Sequence, residues 1–591
     1  MQARRFAGDV GVLAAADGWA GAVGRSGAVR DPGHAGGSAG CAMRDSGGAV
    51  RDRRGTVEDP GGAVDDSRGA WADPGGAVRS TGAAARRGRV GLGLLAAALA
   101  LAAGVVHLDT VPAPFWDEGW TLLTARNWVE RGHYGQLLDG RPRGPGLSAD
   151  LPVVAPIAAS FRVLGVGFWQ GRLVTVVFTA GAVAVMWGLT RMLEGPAVGR
   201  ATVLALVLLT YPDPLTVGRH AVAEMPALFY LLAGYALAWP ALRGRWLALA
   251  PAALAWALAL ATKAQVTPFW LISIACALGM AIARRWPAAA ARLALLAAGA
   301  WTGRSAIAWL YRALPRGPAE APLEGLYAVS GAVLAGPARA AAARLLLTCA
   351  GLALLGLACG GWRLARDARD PDTAREPAVL RAALWSLAAS WLLWFAALAP
   401  AWPRYLFPAA FLAGPFVGRL LVDVTGGLRR GDLARGARGG LTGSRPAAAR
   451  ARAAALAVVL ALALANGLRT VTEHVVAHRE RGGRAVEAAA EFLNRQTAPN
   501  ARIETYDSEL MFLLARRYHY PPDQVHVELN RRLFLDARTP VAYDPLAADP
   551  DYLVAGPLPR LWRLYDPVVR TPAFRPVARF GDYLVYERVR R

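Results

Sequence analysis

Lysine is almost missing from this chain. Of its 66 basic residues, Lys263 alone is a lysine, and the rest are arginine. Cysteine is scarce too, with Cys41, Cys276, Cys349 and Cys359 the only four in 591 residues and no CxxC among them. Three of the four fall in apolar segments and the first in a low-complexity stretch. That excludes a disulfide scaffold and a zinc–thiolate site. The chain has no GxGxxG, no Walker A sequence and no HExxH. Dinucleotide, nucleotide-phosphate and zinc-protease readings therefore have no footing. No apolar run follows the start, so the first residues do not read as a signal peptide.

Apolar residues, by contrast, make up 54% of the chain, and the mean hydropathy is +0.28. A soluble protein of this length averages below zero, so much of the chain belongs in lipid. The net charge is +23. A basic total suits nucleic acid or an anionic membrane surface, and the location of the charge decides between them. Residues 1–88 hold 12 Arg and 10 acids, and residues 472–591 hold 18 Arg and 16 acids. The apolar middle, 89–471, carries the remaining 36 basic and 17 acidic residues. The excess lies between hydrophobic runs, which favours arginine-rich loops of a membrane protein over a nucleic-acid domain.

Three regions follow. Residues 1–88 carry a repeat, GGAVRDRRGTVEDP at 47–60 and GGAVDDSRGAWADP at 61–74, with little to bury. They read as a disordered extension or as sequence upstream of a true start near 85–90. Residues 89–471 read as a transmembrane region with apolar runs near 90–107, 171–190, 198–213, 221–240, 246–262, 266–283, 291–311, 341–362, 379–399, 405–424 and 453–471. That is about eleven spans, with 151–168 an extra or half-helix. With the N-terminus cytoplasmic, the loops 191–200, 243–245, 284–292, 363–381 and 426–452 face the cytoplasm. They hold 19 Arg against 6 acids, as positive-inside orientation requires. Residues 472–591 then lie outside. Their helical stripe at 484–497 and strand patterns at 502–506, 552–556 and 582–589 predict a small extracytoplasmic α/β domain.

Polar groups at the predicted outer helix ends are the candidates for chemistry. In APFWDEGWTLLTARNWVERG (113–132), Asp117 and Glu118 sit among aromatics at the head of an amphipathic helix. They either cap that helix and complement its start or offer a base at the water–lipid boundary. In TYPDPLTVGRHAVAEMPALF (210–229), Arg219, His220 and Glu224 adjoin an apolar run. A charge at Glu224 costs about 2.5–3.5 kcal/mol in a span and needs a partner or a task. Lys263 is a compact point charge suited to phosphate or a snorkelling anchor. Arg404, followed by Tyr405, can grip phosphate bidentately or anchor the interface.

In this order, WDEGWT (116–121), GRLVTVVFTAGAVAVMWGLTRMLEG (171–195), GRHAVAEMPALFY (218–230), LALATKAQ (258–265) and RYLFPA (404–409) resemble the membrane glycosyltransferases of the GT-C superfamily. The likeness is to the bacterial group related to protein mannosyltransferases and to the aminoarabinose transferases of lipid A, over roughly 89–520. The stretch 149–161 departs from that group's Pro-Pro-Leu pattern. The resemblance implies an α-helical polytopic membrane protein of GT-C type. It implies a hexosyl or pentosyl transferase with a polyprenyl-phosphate-sugar donor and a lipid, glycan or protein acceptor at the outer face of the cell membrane. It implies an inverting reaction, for which Asp117, with Glu118 beside it, matches the catalytic base. Lys263, Arg404 and Arg219 are then the expected donor-phosphate ligands, with His220, Glu224 and Tyr405 lining the pocket. No nucleic acid is expected as a partner. No metal ligand set is indicated, and a divalent cofactor stays open. The rival reading is a transporter or flippase of lipid-linked saccharides.

Overall fold

The computed structural model describes residues 104–590. It leaves out 146–149, 209–216, 319–333, 335, 371–374, 400, 426–450, 535–539 and scattered positions in 453–483. The low-complexity segment 1–88, most of the expected first span and part of the run at 453–471 fall outside the described residues.

The chain folds first into α1 (Trp116–Arg131), ended by Gly132 in the left-handed region with φ 67°. A hairpin of β1 (Leu137–Leu138) and β2 (Arg141–Pro142) follows. Then come α2 (Leu151–Leu164), α3 (Phe168–Glu194), α4 (Pro196–Leu208) and α5 (Glu224–Leu242). After them run α6 (Leu249–Thr262), α7 (Val266–Ala283), α8 (Pro287–Ala313), α9 (Gly336–Arg369) and α10 (Arg375–Leu398). The last of this group are α11 (Pro403–Leu412) and α12 (Gly414–Thr425). The ends lie close to those of the apolar runs, because each run is bounded by Arg, Gly or Pro.

Among the described residues, six helices, α3, α5, α7, α8, α9 and α10, are long and apolar enough to cross a membrane. The pair α11–α12 makes a seventh if it is one span bent by 56°. The described residues thus hold six or seven of the eleven expected spans. Pro196–Leu206 and Trp246–Thr262 are shorter apolar helices, and the runs at 90–107, 198–213 and 453–471 are not fully described. The bend has a local cause: Pro415 has no amide hydrogen for the Phe411 carbonyl, and in a straight helix its ring would clash with that carbonyl. The chain is a multi-pass membrane protein whose spans pack around one buried core that includes Trp256, Trp270, Trp391 and Phe395.

The bundle has two charged ends. Arg172 and Glu194 stand near opposite ends of α3, about 33 Å apart at 1.5 Å per residue. At the Glu194 end, Arg381 bridges Glu194 and Asp367, and Arg419 bridges Glu194 and Asp423. The Arg172 end carries the groups described below.

Residues 485–588 form α13 (Ala485–Gln496), β3 (Arg502–Thr505), α14 (Ser508–Met511), β4 (Arg517–His519) and α15 (Asp523–Phe534). They continue through β5 (Tyr552–Ala555), α16 (Pro557–Leu561), α17 (Asp566–Val569), β6 (Phe574–Phe580) and β7 (Tyr583–Arg588). The five strands make one mixed sheet in the order β4-β3-β5-β7-β6. β3 lies parallel to both β4 and β5, and β7 pairs antiparallel with β5 and β6. Three of these strands and α13 coincide with the sequence patterns. β4 and β6 do not alternate cleanly enough to be seen there.

Candidate active site

Helix α1 opens with Trp116, Asp117 and Glu118. The N-cap position is Phe115, which makes no side-chain capping bond. Asp117 is thus not the cap that its position in the sequence allowed. Its carboxylate instead meets the guanidinium of Arg404, in the first turn of α11, through Oδ2 and Nη1. Both side chains keep a minority of their surface open, 16% for Asp117 and 28% for Arg404. The neighbouring carboxylate has the opposite fate. Glu118 is fully buried and takes two bonds from Arg172, Nε to Oε1 at 2.8 Å and Nη2 to Oε2 at 2.6 Å. The Ala221 amide donates to Oε1 at 2.8 Å. Burial raises the Glu118 carboxyl, but the Arg172 guanidinium outweighs it and holds the group below the ordinary range. Arg172 also donates to the carbonyls of Leu108 and Pro112 at 2.9 and 2.8 Å. One buried ion pair therefore ties α1, α3, the segment before α1 and the loop before α5 together.

A second pair lies beside the first. Lys263, just past α6, reaches Glu224 at the start of α5, Nζ to Oε1 at 2.5 Å. Glu224 is 4% exposed, so its burial is answered by the chain's sole lysine rather than by Arg219. Tyr405 joins the two systems. Its ring has the Arg404 guanidinium 5.1 Å and the Lys263 ammonium 5.5 Å from its centroid. Trp402 stacks on Tyr405 at 5.5 Å and carries Arg404 at 5.2 Å. Cations against aromatic faces are held electrostatically while their N–H groups stay available. Among the expected residues, Asp117, Arg404, Tyr405, Lys263 and Glu224 thus form one continuous chain of contacts. His220 packs its edge on Phe115 at 4.5 Å and places Nε2 3.3 Å from the Ala113 carbonyl. Burial lowers it to about 4, so the ring is neutral near pH 7. Arg219 is buried and donates to the Val106 carbonyl.

The sequence reading missed three contributors. Arg172 looked like one more positive charge in an apolar run. Asp150, at the N-cap of α2, lies within the field of Lys263; burial pushes its carboxyl up to about 7 against the pull of that ammonium. Its signal was an acid two residues before Pro152, the second residue of α2. The third contributor is the C-terminal sheet region. Ser508 donates its hydroxyl hydrogen to the Trp116 carbonyl, and Arg126 of α1 donates to the carbonyls of Phe512 and Leu514 at 2.6 and 3.1 Å. Gly119 lies so close to Ser508 and Glu509 that a Cβ would overlap their backbone. Among the described residues, no three His, Cys, Asp or Glu side chains gather where they could hold a metal ion.

The docked region carries a pH signature. Asp507 and Glu509 flank Ser508 and are buried. Burial first, then their mutual repulsion, raises Asp507; burial raises Glu509 to about 7 from an ordinary 4.5. A carboxyl raised in the folded state stabilises it fully below the unfolded value, and that stability is lost as pH rises through the folded value. Thermal stability is expected to fall between about pH 4.5 and 7. Glu509→Gln keeps a neutral side chain that can still accept from Tyr583, whose hydroxyl donates to Oε1 at 2.9 Å. It is expected to flatten that slope and to gain on the order of 1–3 kcal/mol at pH 8. Melting curves of both proteins from pH 4 to 8 check this, and an unchanged slope counts against it.

No protein-family model and no curated protein sequence matches the chain. Solved structures do. ArnT from Cupriavidus metallidurans bound to undecaprenyl phosphate superposes with a TM-score of 0.51 at 18% identity, over 84% of this chain and 98% of that one. The same protein in the apo state gives 0.49 at 16% identity, over 85% and 98%. The Archaeoglobus fulgidus oligosaccharyltransferase in the apo form gives 0.47 at 11% identity, over 78% and 69%. The match to the first of these, over 84% of this chain and 98% of that one, shows that the chain shares its fold, the GT-C fold that the sequence motifs resemble.

Proposed function

We propose that this protein transfers a sugar from a polyprenyl-phosphate carrier to a hydroxyl acceptor at the outer face of the cytoplasmic membrane, with inversion at the anomeric carbon. The observation that carries the reading is the Asp117–Arg404 pair beside the Lys263–Glu224 pair at one end of an apolar bundle. The undecaprenyl phosphate held by the ArnT structure supports a lipid phosphate as carrier. The arginine-rich opposite end is assigned to the cytoplasm, which leaves the site and the C-terminal domain, 472–591, outside.

The chemistry follows from the pairs. A guanidinium binds phosphate through parallel N–H bonds. The donor's phosphate therefore competes with Asp117 for Arg404, and its arrival frees the carboxylate. Asp117 then takes the proton from the acceptor hydroxyl. The hydroxyl oxygen attacks the anomeric carbon, the bond to the phosphate oxygen breaks, and the lipid phosphate departs. Arg404 and Lys263 hold the charge that develops on it. Tyr405 and Glu224 keep the two cations in place. Glu118, with both oxygens engaged, anchors the loop, and Arg219 and His220 shape its wall. A transporter places its polar groups near mid-membrane, whereas these lie at helix ends.

The test uses the purified protein in vesicles, labelled polyprenyl-phosphate sugars and envelope extract. Label is expected to pass to an acceptor. Arg404→Ala and Lys263→Ala are each expected to cost about 10- to 100-fold in kcat/KM, the weight of one charge-assisted contact. Label that crosses the bilayer still attached to its lipid, with none transferred, would favour the transporter and sink the proposal.

A further inference from the structure

Trp116, the residue before the proposed base, is gripped by the C-terminal region from two sides. Its carbonyl accepts the Ser508 hydroxyl. Its ring lies face to face with the imidazole of His526, at 4.6 Å and 4° between planes. His526 sits on α15, more than 400 positions further along the chain. Its own placement is fixed in turn. Nδ1 lies 2.8 Å from the hydroxyl of Tyr506, which is 1% exposed at the end of β3. Trp562 closes the group with its ring 5.5 Å from His526 and 5.7 Å from Tyr506. Burial, then the nearby positive charge of Arg404, lowers His526 to about 4. The ring is thus neutral when it faces the site, and it lies within the field of the guanidinium that holds Asp117.

We infer that His526 is a positioning residue of the transfer reaction: by stacking on Trp116 it fixes the first turn of α1, and so sets where the Asp117 carboxylate stands relative to Arg404. The inference rests on the proposed role of Asp117. Its physical basis is leverage. Trp116 and Asp117 are consecutive, so a ring that tilts into the space left by His526 turns the adjacent Cα–Cβ bond with it. A displacement of about 1 Å at a reacting group costs on the order of 10²-fold in rate. The stack needs a flat ring and tolerates loss of the nitrogens. The Tyr506 bond needs a nitrogen and only orients that ring.

These two demands separate in variants. His526→Ala is expected to lower kcat about 30- to 100-fold, with donor KM changed by less than about threefold. His526→Phe keeps a flat ring and is expected to restore kcat to within about fivefold of the parent. Both are assayed on the full-length protein in vesicles, with melting temperatures recorded for each. The inference is overturned if His526→Ala keeps parental kcat, if its loss appears only in KM, or if His526→Phe is as slow as His526→Ala. Should the parent itself transfer no sugar, the failure belongs to the proposed function. Should the parent transfer sugar and Asp117→Asn do so equally well, the failure belongs to the assignment of the base.

Discussion

Asp117→Asn is expected to reduce sugar transfer by about 10²–10⁴-fold, the range that general-base catalysis contributes, while the protein inserts and melts normally. Asparagine has nearly the same shape, and its amide oxygen still accepts from Arg404. It cannot take a proton. The carboxylate is partly open, with 16% of its side chain exposed, so losing its charge leaves no buried cation stranded: Arg404 is 28% exposed and rests on Trp402 and Tyr405. Activity and stability should therefore separate. Donor affinity should hold or rise slightly, because the phosphate no longer competes with a carboxylate for the guanidinium. Transfer rates, donor binding and melting temperature measured on one preparation check all three. Near-parental transfer would remove Asp117 from the mechanism.

Glu118→Gln should behave in the opposite way, although it is the very next residue. It leaves the Arg172 guanidinium buried opposite a neutral group. Breaking one partner of a buried ion pair costs about 3–5 kcal/mol, which is a large part of the stability of most proteins. The expected result is a lower melting temperature and poor recovery from the membrane, with activity lost in proportion to folded protein. Arg172→Leu should be at least as damaging, since it also strands the carbonyls of Leu108 and Pro112. The double variant Glu118→Leu, Arg172→Leu separates charge from hydrogen bonding. It should recover part of the loss by removing the unpaired charge, but not all, because the Ala221 amide and two carbonyls stay without partners. Full recovery would mean that the charge alone mattered. No recovery would mean that the backbone bonds carry the pair's contribution.

The contrast between these neighbours shows where the sequence could be read and where it could not. WDEGWT marks two carboxylates at a helix start, and periodicity places them one step apart. It does not say which of them turns inward. That is decided by Arg172, a single arginine in an apolar segment whose side chain reaches across to α1. The bundle itself was largely legible, because α3, α5, α7, α8 and α10 end where Arg, Gly or Pro interrupts the apolar runs. The count was less so: α6 is short, and Pro415 bends the last described pair, two facts that hydropathy averages away. Lys263 stood out as a lone lysine, yet its bond to Glu224 crosses from α6 to α5, where no local spacing connects them. His526 could not have been found at all, since nothing in VHVEL distinguishes a histidine that stacks on Trp116 from one that faces water.

The helix starts gathered here have one more effect. Asp117 lies in the first turn of α1, Glu224 opens α5, Arg404 lies in the first turn of α11, and Lys263 stands just ahead of α7. Counted by side chains, the three ion pairs are balanced: Asp117, Glu118 and Glu224 face Arg404, Arg172 and Lys263. Each helix start adds about half a positive charge through its unpaired amides and its macrodipole. The balance of formal charge thus leaves a local positive contribution at each of these helix starts, offset where α6 ends at Thr262 beside Lys263. Under the proposed function, these helix starts would help to hold an anionic headgroup without a surplus of cationic side chains. Removing Lys263 or Arg404 should for this reason weaken binding of the proposed donor without abolishing it.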